Sequence, residues 1–488
     1  MKVAVIYPVI RKNKQYPLLT QNRHFRYSSS LEVRIFPLVP AMAATILKTA
    51  GHNAVFMDGI NARMTEEEFD SALSVFNPQV IAMETKTPII RRHWEYINNY
   101  KKAHPECLMV LFGDHVTFFP QESMENSNVD FVLTGGDYDV SLKKLIDHLE
   151  GKSDKPKGIY YREGKEIKNS GNFELIQNLD ELPFIDRDLT KWELYGEAYL
   201  HHPCAYILTG RGCGGHESTP GQCRFCIWQH AFWRCSRRLR SPKNVVREIK
   251  QLINKYKIQE IFDDNEAGAV WNIEWMREFH DEMKREKLLG KVLFSSNARA
   301  DSLTEETCKL MKKTGFRLIK VGLETGNNES LRRLRKQETI EQIMEGVKTA
   351  KRYGLIVMLT SMMGYPWETD EEAKKTYEAG RELMLYKTRF GDSLQSSVII
   401  PYPGTPLYDE ALKNNWFIDD PKNYERFDMS EPILKSGCDS NKWCQKMWKI
   451  HYEPKFLIRS FLTLHSWHDI KLAFQGIRSL VKHVKDFE

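Results

Sequence analysis

Long apolar runs are missing from this 488-residue chain, and its longest hydrophobic stretches fall far short of a bilayer span, so no segment reads as a transmembrane helix. A basic n-region, an apolar h-region and a cleavage site are also missing from its start, so no leader is expected. The nine cysteines are scattered and do not form a disulfide framework. That usage excludes a disulfide-built secreted module and predicts a reducing, cytoplasmic setting. Charge of one sign is scarce as well: 71 basic against 65 acidic residues leave a net +6, which does not demand a nucleic-acid partner. No internal repeat and no low-complexity tract is visible. What remains is a length too great for one ordinary core, so two or three domains are expected.

The pattern divides at about residues 151, 198 and 406. In residues 1–151 short apolar runs (Lys2-Val-Ala-Val-Ile-Tyr, Asn53-Ala-Val-Phe-Met-Asp, Val80-Ile-Ala-Met-Glu, Leu108-Met-Val-Leu-Phe-Gly, Phe131-Val-Leu-Thr-Gly-Gly) alternate with stretches of helical spacing, such as Val39 to Gly51. They predict an α/β, doubly wound, Rossmann-like domain with its ligand at the carboxyl ends of the strands. Residues 152–198 weaken into charged, proline-containing sequence with a hairpin-like piece from Gly158, and read as a linker. Residues 199–406 alternate again through Ala205–Leu208, Ile258, Lys291, Leu318, Leu355 and Ser396, which suggests a partial β/α barrel. Residues 407–488 are mainly helical and aromatic. There Ile470, Ala473, Phe474, Ile477, Leu480, Val481 and Val484 share a helical face, with basic residues elsewhere. Most such helices pack on their own domain, but this one also suits an anionic membrane surface.

Cys213, Cys223 and Cys226 lie in a glycine-rich loop just beyond the first strand of the barrel. Three thiolates hold three irons of a four-iron cluster and leave the fourth open, whereas a closed structural zinc site wants four ligands. His216, His230 or Cys235 would have to complete such a zinc site. The other cysteines (Cys107, Cys204, Cys235, Cys308, Cys438, Cys444) read mostly as single core thiols, with Cys438 and Cys444 raising the question of an auxiliary ligand. Later strand ends of the same domain carry Asp263-Asp-Asn-Glu266, Asn297-Ala-Arg299-Ala-Asp301, Glu324-Thr-Gly326 and Gly364-Tyr-Pro-Trp-Glu368. Carboxylates, an arginine and glycines at successive carboxyl-terminal edges converge on one cavity and suit an amino-acid-and-ribose ligand.

These motifs resemble the radical S-adenosylmethionine (radical SAM) enzymes. Cys223-Arg-Phe-Cys226 is similar to that family's Cys-x-aromatic-Cys element, and Ser295 to Asp301, Val321 to Gly326 and Met363 to Thr369 are similar to its later strand motifs. The resemblance implies a [4Fe-4S] cluster on Cys213, Cys223 and Cys226 and S-adenosylmethionine on its open iron. It implies ligand-binding roles for Asp263, Arg299 and Glu324, with Phe225, Asn297, Gly326 and Gly364 beside them. Nine residues separate Cys213 from Cys223 where the family usually has three. A longer loop costs little to close, and Cys204 and His216 are the alternatives to Cys213 as first ligand.

The first domain resembles the cobalamin-binding domain joined to many of these enzymes, through Phe36 to His52, Gly113-Asp-His-Val-Thr-Phe-Phe-Pro120 and Leu133-Thr-Gly-Gly-Asp-Tyr138. The resemblance puts cobalamin beside Thr85, Gly113, Asp114, His115, Thr134, Gly135 and Gly136. The Asp-x-His-x-x-Gly signature is absent, so no cobalt-ligating histidine from that motif is expected, and a histidine after Gly-Asp is ordinarily a hydrogen-bonded loop residue. Together these resemblances imply a radical SAM enzyme that uses cobalamin to methylate an unactivated carbon of a small or lipid-like molecule, fed by an electron donor such as flavodoxin or ferredoxin. A radical cyclisation, coupling or rearrangement without methyl transfer is the second reading, and a non-catalytic cobalamin and iron–sulfur sensor or scaffold is the third.

Overall fold

Strands with both faces buried need helices on both sides, and the apolar runs of this chain meet that condition in two separate parallel sheets. The computed structural model describes residues 1–12, 15–19, 27–28, 34–213, 223–265, 272–429 and 431–464. The first sheet contains β1 (Lys2–Tyr7), β2 (Asn53–Asp58), β3 (Val80–Thr85), β4 (Leu108–Gly113) and β5 (Phe131–Leu133), parallel in the order β2-β1-β3-β4-β5. All six residues of β3 are buried. The direction of winding reverses between β1 and β3, which is where a doubly wound sheet opens its crevice. The helix Leu38–Thr49 stops just ahead of Gly51, as its sequence suggests.

The hairpin within the presumed linker belongs to this sheet. Its strands β6 (Ile159–Glu163) and β7 (Glu166–Asn169) pair antiparallel along the β5 edge. The chain then crosses to the second domain. Arg187 pins that crossing: it is buried, donates to the Tyr206 carbonyl at 2.6 Å and faces Glu248 at 3.4 Å.

The second sheet has six parallel strands in sequential order: β8 (Cys204–Ile207), β9 (Glu260–Asp263), β10 (Leu293–Ala298), β11 (Phe316–Glu324), β12 (Ile356–Met363) and β13 (Ser393–Val398). Its intervening helices start at sequence-encoded caps. Ser241 receives the Asn244 N–H, and Thr339 and Thr369 form capping boxes with Gln342 and Glu372. This is the expected partial barrel. Its amino-terminal end is closed by the segment before β8: Arg317 donates to the Tyr199 carbonyl at 2.7 Å, and the His201 N–H reaches Glu260 at 2.8 Å.

The described C-terminal region is helical, with helices Pro406–Lys413, Ser440–Lys449 and Pro454–Leu462. It ties both domains together. Tyr424 donates to Glu122 of the first domain at 3.0 Å and packs edge-on against His115, while the helix Ser440–Lys449 lies across β12 and β13. The expected amphipathic face from Ile470 to Val484 lies outside the described residues, as do His216, Glu266 and the added loop Gly215 to Gly221. Among the described residues no helix is long and apolar enough to cross a membrane.

Candidate active site

Beyond β8 the chain turns sharply, and the carboxylate of Asp263 holds the turn. It accepts the Thr209 hydroxyl at 2.6 Å and the Thr209 N–H at 3.0 Å. Cys213 follows four residues later. The Cys223-Arg-Phe-Cys226 turn is clamped on both sides: the Arg224 N–H donates to the Leu334 carbonyl at 2.9 Å, and the Arg224 carbonyl receives the Leu407 N–H at 3.1 Å. An ion pair from Arg224 to Glu410 at 2.8 Å adds to the clamp.

All three thiols, with Phe225 between two of them, line one cavity of about 1350 Å³ of atom-free space, its open mouth included. Among the described residues no three ligating side chains are already drawn into a coordination group, so the thiols share a wall without being pre-assembled. Burial pushes the Cys223 thiol up to about 11, against the pull of Lys336 and Arg299. The alternative ligands fare worse. Cys204 opens β8 at the far end of the barrel, with its thiol 3.7 Å from His202. His230 is held by the Cys223 carbonyl at 3.1 Å, and Cys235 lies 3.9 Å from the other nitrogen of that ring. Cys438 donates to Glu368 at 3.5 Å and Cys444 accepts from Ser396 at 3.5 Å, which occupies both thiols in side-chain contacts.

Of the later strand ends, Asn297, Arg299 and Glu324 line the same cavity. Arg299 is buried and forks onto Asp301 at 2.8 and 3.1 Å, with Glu338 at 3.5 Å. Glu324 ends β11 at a register shift and in a left-handed conformation (φ 58°), which turns its carboxylate onto Lys336 at 3.0 Å. Burial alone would lower Lys336, but Glu324 and Glu338 hold it above its ordinary value. Three expected residues do not line the cavity. Asp263 braces the Thr209 turn, and its neighbour Asp264 takes the lining position. Gly326 donates to Thr376 at 2.9 Å against a flanking helix, and Gly364 donates to Glu368 at 2.7 Å. Lys336 and Lys320 also line the cavity; Lys336 sits in a charged stretch that reads as ordinary surface, and Lys320 is a lone cation within an apolar strand run.

The strand ends of the first domain have partners of their own. A side chain at Gly113 would collide with the Thr85 carbonyl, one at Gly135 with the Phe173 ring, and one at Gly136 with Trp233 and Phe232. At these three glycines the space a side chain would take is therefore occupied by the protein itself. Thr85 faces His93 at 2.8 Å, and Thr134 donates to the Gly158 carbonyl at 2.8 Å. Asp114 accepts the His115 N–H at 2.6 Å. His115 is fully buried between Thr87 and Glu122, each at 3.3 Å, which is the hydrogen-bonded role and not that of a ligand.

These ends instead form the seam with the barrel. Arg211, two residues before Cys213, reaches Asp137 at 2.6 Å and Asp139 at 2.5 Å, and Arg238 reaches Asp137 at 2.6 Å. All four side chains are buried. Gly136 donates to the Phe232 carbonyl at 3.1 Å, and the helix Asp114–Phe118 packs on the helix Ile227–Ala231 that follows Cys226. The carboxyl-terminal ends of both sheets thus meet at the thiol loop.

Comparison with known proteins agrees with this geometry. Residues 207–380 match the radical SAM superfamily. This stretch is a radical SAM domain. It contains the three cysteines and every strand end of the cavity up to β12. An uncharacterized methyltransferase of Pyrococcus horikoshii is 26% identical over 458 residues, covering 90% of this chain and 93% of that one. The anaerobic magnesium-protoporphyrin IX monomethyl ester cyclase of Cereibacter sphaeroides is 26% identical over 80% of this chain and 62% of its own length. Among solved structures, the radical SAM methyltransferase TsrM of Kitasatospora setae, determined with cobalamin and a [4Fe-4S] cluster bound, superposes with a TM-score of 0.67 at 15% identity, covering 94% of this chain and 90% of that one. That last likeness is one of fold, and it takes in both domains around the radical SAM core.

Proposed function

We propose that the protein is a cobalamin-dependent radical SAM methyltransferase acting on an unactivated carbon of a small or lipid-like substrate. The observation that carries this reading is the single cavity: three thiols, Arg299, Asn297, Asp264 and Glu324 share its wall, and the helix that follows Cys226 packs on the first domain. Soft thiolate donors suit an iron–sulfur cluster, and the mixed charges beside them suit the amino and carboxylate groups of S-adenosylmethionine. When bound, the cluster supplies an electron for cleavage of S-adenosylmethionine and cobalamin supplies a methyl carrier. In this reading Cys213, Cys223 and Cys226 hold the cluster, while Phe225, Asn297, Arg299 and Glu324 frame S-adenosylmethionine. Lys336 holds the Glu324 side chain in place, and the buried seam excludes water between the cofactors.

The apolar part of the wall (Met362, Ile399, Ile400, Tyr402, Met429) favours a substrate with a hydrophobic body. An external reductant such as flavodoxin or ferredoxin belongs to the proposal, as does peripheral contact with a membrane. The helix Pro454–Leu462 supports the latter, since Leu457, Ile458, Phe461 and Leu462 are 51 to 72% exposed near the exposed Lys455. A cyclase reading is favoured by one observation, the similarity to the magnesium-protoporphyrin ester cyclase.

The deciding experiment uses anaerobically reconstituted protein with S-adenosylmethionine and dithionite. Close to four irons per chain, with deoxyadenosine and S-adenosylhomocysteine both formed and both lost in a Cys223→Ala/Cys226→Ala variant, is the expected result. Deoxyadenosine without S-adenosylhomocysteine would move the assignment to the cyclase reading. Zinc in place of iron would end both.

A further inference from the structure

Gln229 stands two residues into the short helix that follows Cys226. Its side chain is 1% exposed and lines the cavity, yet among the described residues neither its amide nitrogen nor its amide oxygen has a hydrogen-bond partner. Burying a primary amide in this way forfeits the hydrogen bonds both atoms make with water, and folded chains rarely tolerate it without compensation. The backbone gives it no escape, because the Gln229 carbonyl is fixed by the Cys235 N–H at 2.8 Å. An orphaned donor and acceptor on a cavity wall mark the place where a ligand supplies the missing partners.

The chemistry of the amide selects the ligand. The charged ends of an amino acid are met elsewhere, by Arg299, Glu324 and Asp264 at the ends of β9 to β11. A neutral amide is best matched by a group that also offers a donor and an acceptor side by side, and a second primary carboxamide does so. Such carboxamides fringe the corrin ring of cobalamin. Gln229 also lies on the helix that packs against Asp114–Phe118, at the ligand end of the first domain. We infer that Gln229 receives a rim carboxamide of cobalamin through paired hydrogen bonds, an inference that rests on the cobalamin reading above.

The test titrates hydroxocobalamin, followed by absorbance, into full-length cluster-reconstituted protein carrying Gln229, Gln229→Leu or Gln229→Glu, with S-adenosylmethionine titrated in parallel. Loss of a paired amide contact predicts roughly tenfold weaker hydroxocobalamin binding for Gln229→Leu, with Gln229→Glu between the two. S-adenosylmethionine affinity stays unchanged. The same Leu substitution raises the Tm of cofactor-free protein, because an orphaned amide is gone, so lost binding is not lost folding. Equal hydroxocobalamin affinity in all three proteins would overturn the inference and leave a water-filled polar niche. A loss confined to S-adenosylmethionine would overturn it in favour of the adenine edge. Failure of the unsubstituted protein to bind hydroxocobalamin would remove the cobalamin reading and this inference together.

Discussion

Glu368 is a carboxylate whose surroundings are unlike water. It is fully buried and accepts the Gly364 N–H at 2.7 Å, but one of its oxygens has no partner, and burial pushes it up to about 7. A carboxyl raised in the folded state takes up a proton on folding. The stability linked to it is complete below its unfolded value of 4.5 and is lost as pH rises through about 7. Glu368→Gln is therefore expected to be close to neutral at pH 5 and to stabilise by up to about 3 kcal/mol at pH 8, read from urea unfolding at the two pH values. An equal effect at both would show that Glu368 is ionised throughout. Lys336, by contrast, is buried with partners, Glu324 at 3.0 Å and Glu338 at 3.5 Å. Lys336→Met strands Glu324 and Glu338 in the interior and is expected to cost about 3 kcal/mol with a parallel fall in iron loading, whereas an unchanged midpoint and full loading would mean that the pair is solvated.

At the level of elements, the two domains are joined through buried charge. Arg211→Met leaves Asp137 with Arg238 alone and Asp139 with no cation among the described contacts. A loss of about 3–5 kcal/mol follows, with the thiol loop released at its anchor, and differential scanning of apo protein measures it. A transition unaltered within about 0.5 kcal/mol would show that the seam is held by the aromatic contacts instead. The elements themselves were legible wherever their faces were apolar: β1, β2 and β4 coincide with the runs read from the sequence. β13 was placed three residues late. Its segment Ser393-Leu-Gln-Ser-Ser is polar and partly exposed at a sheet edge, and the apolar Ile399-Ile400 beyond it lines the cavity instead of continuing the strand. The hairpin β6–β7 looked like linker because its residues are charged, as an outer edge requires. Cys213, Cys223 and Cys226 announced the site through spacing. The partners of Gly113, Gly135 and Gly136 could not be read, since each belongs to a residue remote in sequence or in another domain.

At the level of the whole molecule, the C-terminal region contacts both domains and then presents an apolar helix surface ending at Leu462. Flotation with vesicles tests that surface. Binding to anionic vesicles, weakened at high salt and reduced by Phe461→Ser, is expected, and indifference to lipid charge would contradict peripheral docking. In the proposed function the thiol loop and the first domain serve the same reaction. The direct measurement is electron paramagnetic resonance of reconstituted protein loaded with cob(II)alamin. Reduction of the cluster is predicted to speed relaxation of the cobalt signal, and the effect is predicted to vanish in the Cys223→Ala/Cys226→Ala variant. A cobalt signal that ignores the redox state of an intact cluster would contradict the account.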